Sequence, residues 1–210
     1  ESTAISYRLS PNVENLWLQG DSAISGFGNS RNNVIYASSG DNRLVGGAGI
    51  DTLSYRSNHG AGVTVSLAVS STQNTRGSGL DRISTFENVI GSGYSDVLAG
   101  TSRDNILDGL RGIDKMTGYD GNDTYYVDNV SDRVIETMAG GIDRVFATRS
   151  YRLPAAVENL TLIGRWNGDV EQISGIGNDG VWAAMTRSMA GRGAPTCSAA
   201  PEQTSSVSAR

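Results

Sequence analysis

The sequence predicts an all-β fold, a β-solenoid of nine-residue repeats arranged in two blocks with connecting strands. Three observations support this prediction. Gly accounts for 27 of the 210 residues without a collagen-like period, which indicates many tight turns. Val, Ile, Leu and Tyr occur in short runs bounded by Gly, Asn, Asp and Ser, as is typical of short strands. Units of nine residues also repeat in phase along the chain.

A connector of strands is predicted at residues 1–27, and a second of the same type at residues 129–180. The segment SYRLSPNVENLWLQG, residues 6–20, matches SYRLPAAVENLTLIG, residues 150–164, in the same register. GIGN, which begins at Gly175, is expected to start a third block. Because the chain opens inside such a connector, we interpret it as a fragment of a longer protein.

The first block is predicted at residues 28–54 and contains three nine-residue units. Each unit has a polar residue at its sixth position and an aliphatic residue at its eighth. The sixth-position residues are Asn33, Asn42 and Asp51, and the eighth-position residues are Ile35, Leu44 and Leu53. A connector at residues 55–90 follows, and it ends in FENV, a relative of the VENL motif.

The second block is predicted at residues 91–128 and contains four consecutive units, GSGYSDVLA, GTSRDNILD, GLRGIDKMT and GYDGNDTYY. Its sixth-position residues are Asp96, Asn105, Asp114 and Asp123, and its eighth-position residues are Leu98, Leu107, Met116 and Tyr125. Both columns hold across the four units. The second block is therefore the strongest repeat signal in the chain.

The residue types at each position predict how one unit folds. The first six residues form a turn, in which Gly at positions one, two and four supplies backbone conformations that are strained for other residues. The last three residues form a short strand, whose eighth-position side chain points inward while its neighbours point outward. Stacked units would then bury a ladder of Leu, Ile and Met.

A half-turn of nine residues brings every second unit to the same edge of the solenoid. Asp96 is therefore expected beside Asp114, Asn105 beside Asp123, and Asn33 opposite Asp51. Carboxylates stacked at the strand spacing of about 5 Å repel each other unless a cation lies between them. Carboxylate and turn carbonyl oxygens are the ligands of Ca²⁺, whereas Zn²⁺ prefers Cys and His.

The predicted calcium ligands are the sixth-position side chains of these pairs, together with the first and fourth glycines of three turns. They are Asp96, Asp114, Asn105, Asp123, Asn33, Asp51, Gly109, Gly112, Gly118, Gly121, Gly46 and Gly49. Asp96 and Asp114 are expected to form the best site. Arg31, Tyr94 and Arg103 replace Gly at fourth positions and are expected to strain or widen their turns.

Two units carry a resemblance to a known family. GGAGIDTLS at Gly46 and GYDGNDTYY at Gly118 resemble the repeat of the haemolysin-type calcium-binding, or RTX, proteins that bacteria export by type I secretion. The resemblance extends over residues 6–178. It implies a parallel β-roll with calcium between successive turns, an extracellular location, and a chain that stays unfolded where calcium is scarce.

Composition excludes several functions. A net charge of −5 argues against nucleic acid as a partner, and no apolar stretch is long enough for a transmembrane segment. One His and one Cys, His59 and Cys197, assemble no catalytic constellation, so the chain is predicted not to be an enzyme. We expect a secreted module that folds on binding calcium.

Two other functions are also compatible with the sequence. The chain would also suit the non-catalytic C-terminal module of a secreted polysaccharide-active enzyme, protease or lipase, with the catalytic domain upstream. Alternatively, it would suit the spacer of a calcium-dependent adhesin that contacts surface glycans.

The tail at residues 181–210 departs from the repeats. Its Ser, Ala and Pro content and its positive charge predict disorder. We hypothesise a reading-frame shift near Gly180, because the shifted frame admits a repeat-like translation.

Overall fold

The computed structural model describes residues 2–3, 5–57, 60–138, 140–163, 174–176 and 182–184. Each nine-residue unit folds as a turn followed by a short strand, and two units complete one coil. The strands are β1 (Ser2–Thr3), β2 (Tyr7–Arg8), β3 (Asn15–Leu18), β4 (Ile24–Phe27), β5 (Val34–Tyr36), β6 (Asn42–Val45), β7 (Thr52–Ser54), β8 (Thr64–Ser66), β9 (Thr72–Asn74), β10 (Leu80–Ser84), β11 (Asn88–Ile90), β12 (Val97–Ala99), β13 (Ile106–Asp108), β14 (Lys115–Thr117), β15 (Thr124–Val127), β16 (Arg133–Ile135), β17 (Arg144–Ala147), β18 (Tyr151–Arg152), β19 (Asn159–Leu162), β20 (Ser174–Ile176) and β21 (Trp182–Ala184).

One wall of the solenoid is a nine-stranded sheet that runs through both blocks. Its strand order is β1-β3-β5-β7-β11-β13-β15-β17-β19, and the neighbouring strands are parallel. Leu53 pairs with Val89, and Val89 pairs with Leu107. Val89 belongs to the predicted connector at residues 55–90, so this connector supplies a strand that joins the two blocks in one sheet.

The opposite wall consists of two sheets in succession. The first has the order β2-β4-β6-β10-β9, and the second has the order β16-β14-β12-β8. All of their strand pairs are parallel except that of β9 with β10. This antiparallel strand ends the first sheet within the connector. A further sheet has the order β18-β20-β21, in which β21 is antiparallel to β20.

The core lies between the walls and is built from the eighth-position side chains. Those of the two blocks are fully buried: Ile35, Leu44, Leu53, Leu98, Leu107, Met116 and Tyr125. Burying each side chain of this kind stabilises the fold by about 1.5–3 kcal/mol. The predicted all-β parallel solenoid is confirmed, since the described secondary structure is entirely strands and turns.

The coils continue beyond residue 128, where the second block was predicted to end. Residues 127–135 form another unit of nine residues, with Asp132 at its sixth position and the buried Val134 at its eighth. β16 of this unit pairs with β14. The predicted third block and disordered tail lie outside the described residues, apart from β20 and β21, and so does His59. Within the described residues, the structure contains no helix that could span a lipid bilayer.

Candidate metal sites

The sixth-position side chains form a ladder along each edge of the solenoid. The first edge carries Asn33, Asp51, Asn105, Asp123 and Asp143, and the second edge carries Asn42, Asp81, Asp96, Asp114 and Asp132. Most neighbours in a ladder are joined by the same kind of hydrogen bond. The backbone N–H of the sixth-position residue donates to the carboxylate of the corresponding residue in the next coil.

This bond places the predicted partners side by side. The Asp96 N–H donates to Oδ1 of Asp114 at 2.8 Å, and the Asn105 N–H donates to Oδ1 of Asp123 at 2.7 Å. The Asn33 N–H likewise donates to Oδ1 of Asp51 at 2.7 Å. The residues predicted to lie beside each other are therefore neighbours in the structure. Whether a pair binds an ion depends on the second carboxylate oxygen, which differs between turns.

One kind of turn, which we call the glycine turn, has positive φ at the second and fourth positions. It occurs in the three units whose sixth-position residues are Asp51, Asp114 and Asp123. The φ values are 119° and 116° at Gly47 and Gly49, 60° and 147° at Leu110 and Gly112, and 80° and 109° at Tyr119 and Gly121. Asp143 follows Gly141, which lies at the fourth position of its turn and has a φ of 134°.

The other kind, which we call the capped turn, replaces positive φ with a side-chain hydrogen bond. The second-position side chain accepts the fourth-position N–H. Asn29 accepts from Arg31 at 2.8 Å, Ser92 from Tyr94 at 3.1 Å and Thr101 from Arg103 at 3.1 Å. In the unit at residues 127–135 the same bond lies one position later, where Asn129 accepts from Ser131 at 3.0 Å. The prediction of strained turns at Arg31, Tyr94 and Arg103 was wrong, because none of these residues has a positive φ.

Glycine turns leave one carboxylate oxygen without a hydrogen-bond partner. Among the described residues, the buried oxygens without a partner are Oδ2 of Asp51, Asp114, Asp123 and Asp143. These side chains are at most 1% exposed. A buried ionised oxygen that lacks a partner is costly unless a cation lies beside it. The four aspartates therefore fit a hard cation such as Ca²⁺.

Capped turns use their sixth-position oxygens internally. Asp96 Oδ2 accepts from the Ser92 N–H at 2.7 Å, and Oδ1 accepts from the Val63 N–H and the Ser92 hydroxyl at 2.6 and 2.8 Å. Asn105 accepts from Thr101 N–H at 2.6 Å and donates to the Glu87 carbonyl at 2.7 Å. Asp96, Asn105 and Asn33 thus lie next to the partnerless carboxylates but are themselves hydrogen-bonded.

The first-position glycines make room for the carboxylates. A Cβ at Gly109 would overlap the Asp114 carboxylate, and a Cβ at Gly118 would overlap Asp123, Tyr125 and Glu136. A Cβ at Gly46 would overlap both Asp51 and the Thr85 carbonyl oxygen. The predicted glycines therefore border the candidate sites.

The fourth-position glycines bring adjacent turns together. A Cβ at Gly49 would lie 2.9 Å from the Arg31 carbonyl oxygen, and one at Gly112 would lie 2.6 Å from the Tyr94 carbonyl oxygen. A Cβ at Gly121 would lie 2.7 Å from the Arg103 carbonyl oxygen. The predicted glycines Gly49, Gly112 and Gly121 thus set the close spacing of the turns.

Gly118→Ala is expected to weaken calcium binding at the Asp123 turn by about tenfold, because the new methyl group displaces the carboxylate. Gly93→Ala is the matched control, since a Cβ there meets nothing within 4 Å. Calcium titration of both variants by calorimetry checks the expectation. Equal affinities for the two variants would contradict it.

Burial raises the pKa of each partnerless carboxyl group. The pKa of Asp114 rises to about 8, and nearby Asp132 and Asp96 add to the effect of burial. The pKa of Asp123 rises to about 7, with Glu136 and Asp143 contributing, and that of Asp51 to about 6, with Glu87 contributing. Carboxyl groups thus cluster at three places along the edges of the solenoid, around Asp51, Asp114 and Asp123. These places are the three candidate sites.

The densest of these places holds three carboxylates. Oxygens of Asp123, Glu136 and Asp143 all lie within 4.8 Å of one another. The hydroxyl of Tyr125 donates a hydrogen bond to Glu136. Asp123 and Asp143 are 20 residues apart, whereas Asp114 and Asp132 are 18 apart, so the turn that contains Glu136 is two residues longer.

Several members of the ladders were not predicted from the sequence. Asp132 could have been found by extending the nine-residue period by one unit. Asp143 follows Gly140 and Gly141, which is a recognisable turn signal, but the longer turn breaks the period. Asp81 was also missed, although it is a structural residue. It accepts from Tyr55, Thr75 and Asn42 at 2.9, 3.1 and 2.8 Å, so that both its oxygens have partners.

A family model for the RTX calcium-binding nonapeptide repeat matches the chain in four copies, over residues 26–53, 90–125 and 99–134. These units are RTX repeats. The match confirms the predicted family and includes the RTX unit of Asp132. The chain thus contains an RTX calcium-binding module, and the matched family is a calcium-binding repeat rather than a catalytic one. No curated protein matches the chain.

Proposed function

We propose that this chain is an extracellular RTX module that folds when it binds Ca²⁺, at sites centred on Asp51, Asp114 and the Asp123–Asp143 pair. The observation that carries the proposal is the set of four buried carboxylate oxygens without a hydrogen-bond partner. Asp51, Asp114 and Asp123 belong to glycine turns, Asp143 follows Gly141 with its φ of 134°, and the matched repeats are calcium-binding repeats.

Hydrogen bonds align the coils before any ion is considered. Fifth-position side chains accept the fifth-position N–H of the next coil. Asn32 accepts from Ile50 at 2.9 Å, Ser95 from Ile113 at 2.9 Å, and Asp104 from Asn122 at 2.7 Å. The sixth-position bonds run in the opposite direction. Together the two ladders fix the spacing between turns and hold the partnerless oxygens in place.

Calcium, when bound, supplies the positive charge that the clustered carboxylates lack. The free energy of binding then adds to the free energy of folding, because the unfolded chain does not preform the sites. Extracellular calcium modules bind with Kd on the order of 10⁻⁴ to 10⁻³ M. A module of this affinity is filled where calcium is millimolar and stays largely unbound where it is micromolar, which supports an extracellular location.

Far-UV circular dichroism during a calcium titration tests the proposed function. The β signal is expected to rise cooperatively with Ca²⁺ and to rise much less with Mg²⁺, because Mg²⁺ demands a tighter octahedral geometry. A chain that is equally folded in chelator and in calcium would overturn the proposal. In that case the repeats would be a structural solenoid.

Without calcium, the fold is expected to be more stable at pH 5 than at pH 8. The folded-state pKa values of Asp114, Asp123 and Asp51, about 8, 7 and 6, lie above the ordinary value of 3.8. The folded chain therefore binds protons more tightly than the unfolded chain, and its stability falls as pH rises through this range.

With calcium at about 10 mM the order should reverse, because protons compete with the ion for the same oxygens. Thermal unfolding at both pH values, in resin-treated metal-free buffer and in calcium, measures both effects. A metal-free melting temperature that rises from pH 5 to pH 8 would show that these carboxyl groups do not control stability.

A further inference from the structure

The outer face of the first sheet of the opposite wall carries an arginine cluster on β2, β4, β6 and β10. Arg8 lies over the Phe27 ring at 4.7 Å from its centroid, and Arg43 lies over the same ring at 5.4 Å. Arg82 pairs in register with Arg43 on the next strand. We call Arg8, Phe27, Arg43 and Arg82 the arginine face.

The stacking on Phe27 leaves the edges of the guanidinium groups available. A guanidinium that lies against a ring uses its planar face, while its N–H groups point outward in the plane. Arg8 and Arg43 flank Phe27 on the two neighbouring strands. The ring therefore holds two guanidinium groups apart and reduces the entropy that each would lose on binding an anion.

No carboxylate neutralises this face within the described part of the chain. The ion pair of Arg31 with Glu14 lies elsewhere. Arg8, Arg43 and Arg82 are all exposed. The face thus concentrates positive charge on a chain whose net charge is −5. A cluster of like charges without counter-charges favours an anionic ligand.

The spacing of the charges indicates the kind of anion. Adjacent strands are about 4.8 Å apart, so Arg8 and Arg82 are separated by about 14 Å along the solenoid axis. Hydroxyl side chains lie between and beside them: Ser25 pairs with Arg43, and Thr72 pairs with Arg82. The face offers a short row of few charges among neutral hydrogen-bonding groups, in which Arg8 is offset from Arg43 and Arg82 by two residues along the strands.

We propose that the arginine face binds an acidic polysaccharide, with the guanidinium groups holding its carboxylate or sulfate groups and the hydroxyls facing its sugar hydroxyls. A linear sugar polymer with widely spaced anions matches this row. Nucleic acid matches it less well, because its dense phosphates require a larger basic surface and would be repelled by the acidic edges. This binding is separate from the calcium sites.

The test compares the full chain with an Arg8→Gln/Arg43→Gln double variant at saturating calcium, after circular dichroism has shown that both are folded. The probes are hyaluronan oligosaccharides for carboxylates, heparin oligosaccharides for sulfates, and neutral dextran and single-stranded DNA for comparison. The parent chain is expected to bind one or both acidic probes, and the double variant about tenfold more weakly. Which acidic probe binds better identifies the anionic group.

An Arg103→Gln/Arg144→Gln variant is the matched control. It removes the same charge from a turn and from the other wall, where Arg144 lies 5.9 Å from the Phe146 ring. This variant should bind as the parent does. The proposal is overturned if the Arg8→Gln/Arg43→Gln variant binds as tightly as the parent, as it would if calcium bridged the polymer to the acidic edges. Binding of dextran or of single-stranded DNA in preference to the acidic sugars would also overturn it.

Discussion

Asp114→Asn is expected to stabilise the ion-free chain and to weaken calcium binding at the same time. Without calcium, the substitution removes the cost of burying a carboxyl group whose Oδ2 has no partner and whose neighbours include Asp132 and Asp96. The free energy of unfolding should therefore rise by about 1 kcal/mol. With calcium, the loss of a charged ligand should reduce the affinity of this site by about 100-fold, or about 3 kcal/mol.

An amide is compatible with the sixth position, because Asn33, Asn42 and Asn105 occupy the same position in other units. The Asn105 Nδ2 donates to the carbonyl of Glu87 in the preceding coil. Urea unfolding in chelator and in calcium, with a calorimetric calcium titration, measures the two opposite effects.

Asp96→Asn is the matched control on the same edge. Both Asp96 oxygens accept hydrogen bonds from buried donors, and an amide can replace only one of them as acceptor. This variant should therefore lose about 1–3 kcal/mol of stability, with or without calcium. If Asp114→Asn also destabilised the chain in chelator, the Asp114 carboxylate would not be the unbalanced charge that the turn geometry indicates.

The repeating columns were sufficient to predict the solenoid and its core. Residues 18 apart in sequence face the same way in adjacent coils, and the eighth-position column fixes which side faces inward. Leu107, for example, pairs with Tyr125, and both are fully buried. The hydrophobic pattern and the half-turn length thus determine the strand register, because a shift by one residue would expose every core side chain.

The type of each turn could not be predicted from the count of glycines. Leu110 and Tyr119 adopt positive φ although neither is Gly, because the turn that each occupies is fixed by Gly112 or Gly121 and by the coil beside it. In the capped turns, the informative residue is the Ser, Thr or Asn at the second position. Its hydrogen bond to the fourth-position N–H removes the need for Gly there, as Thr101 and Arg103 show.

The predicted ligand pairs counted each carboxylate as available, whereas the structure distinguishes the carboxylates by their hydrogen bonds. Asp96 was assigned to the best site, but its hydrogen bonds to Ser92 and Val63 occupy both of its oxygens. Glu136 was overlooked because it falls in the turn that is two residues longer than the repeat. Sequence periodicity locates the rungs of a ladder, whereas the hydrogen bonds of each turn decide which oxygens remain for an ion.

Asp143→Asn and Glu136→Gln are expected to have the largest effect on ion binding, because they dismantle the site with three carboxylates. Oxygens of Asp123, Glu136 and Asp143 lie within 4.8 Å of one another, so this site should bind a trivalent ion especially well. Tb³⁺ bound there would be excited by Tyr125, whose hydroxyl contacts Glu136. The double variant should lose this luminescence and bind calcium at this site at least about 100-fold more weakly.

Asp120→Asn is the matched control for this site, since Asp120 lies in the same turn as Asp123 but is exposed. The substitution removes a carboxylate from the same turn but leaves the three clustered carboxylates in place. Its effect on ion binding should be small, because exposed charges are largely screened by solvent and salt. The control should keep both the luminescence and the calcium affinity. If Asp120→Asn reduced them as much as the double variant does, the ion would be held by the general negative charge of the edge. If only the double variant reduced them, the binding would depend on the three carboxylates that the longer turn brings together.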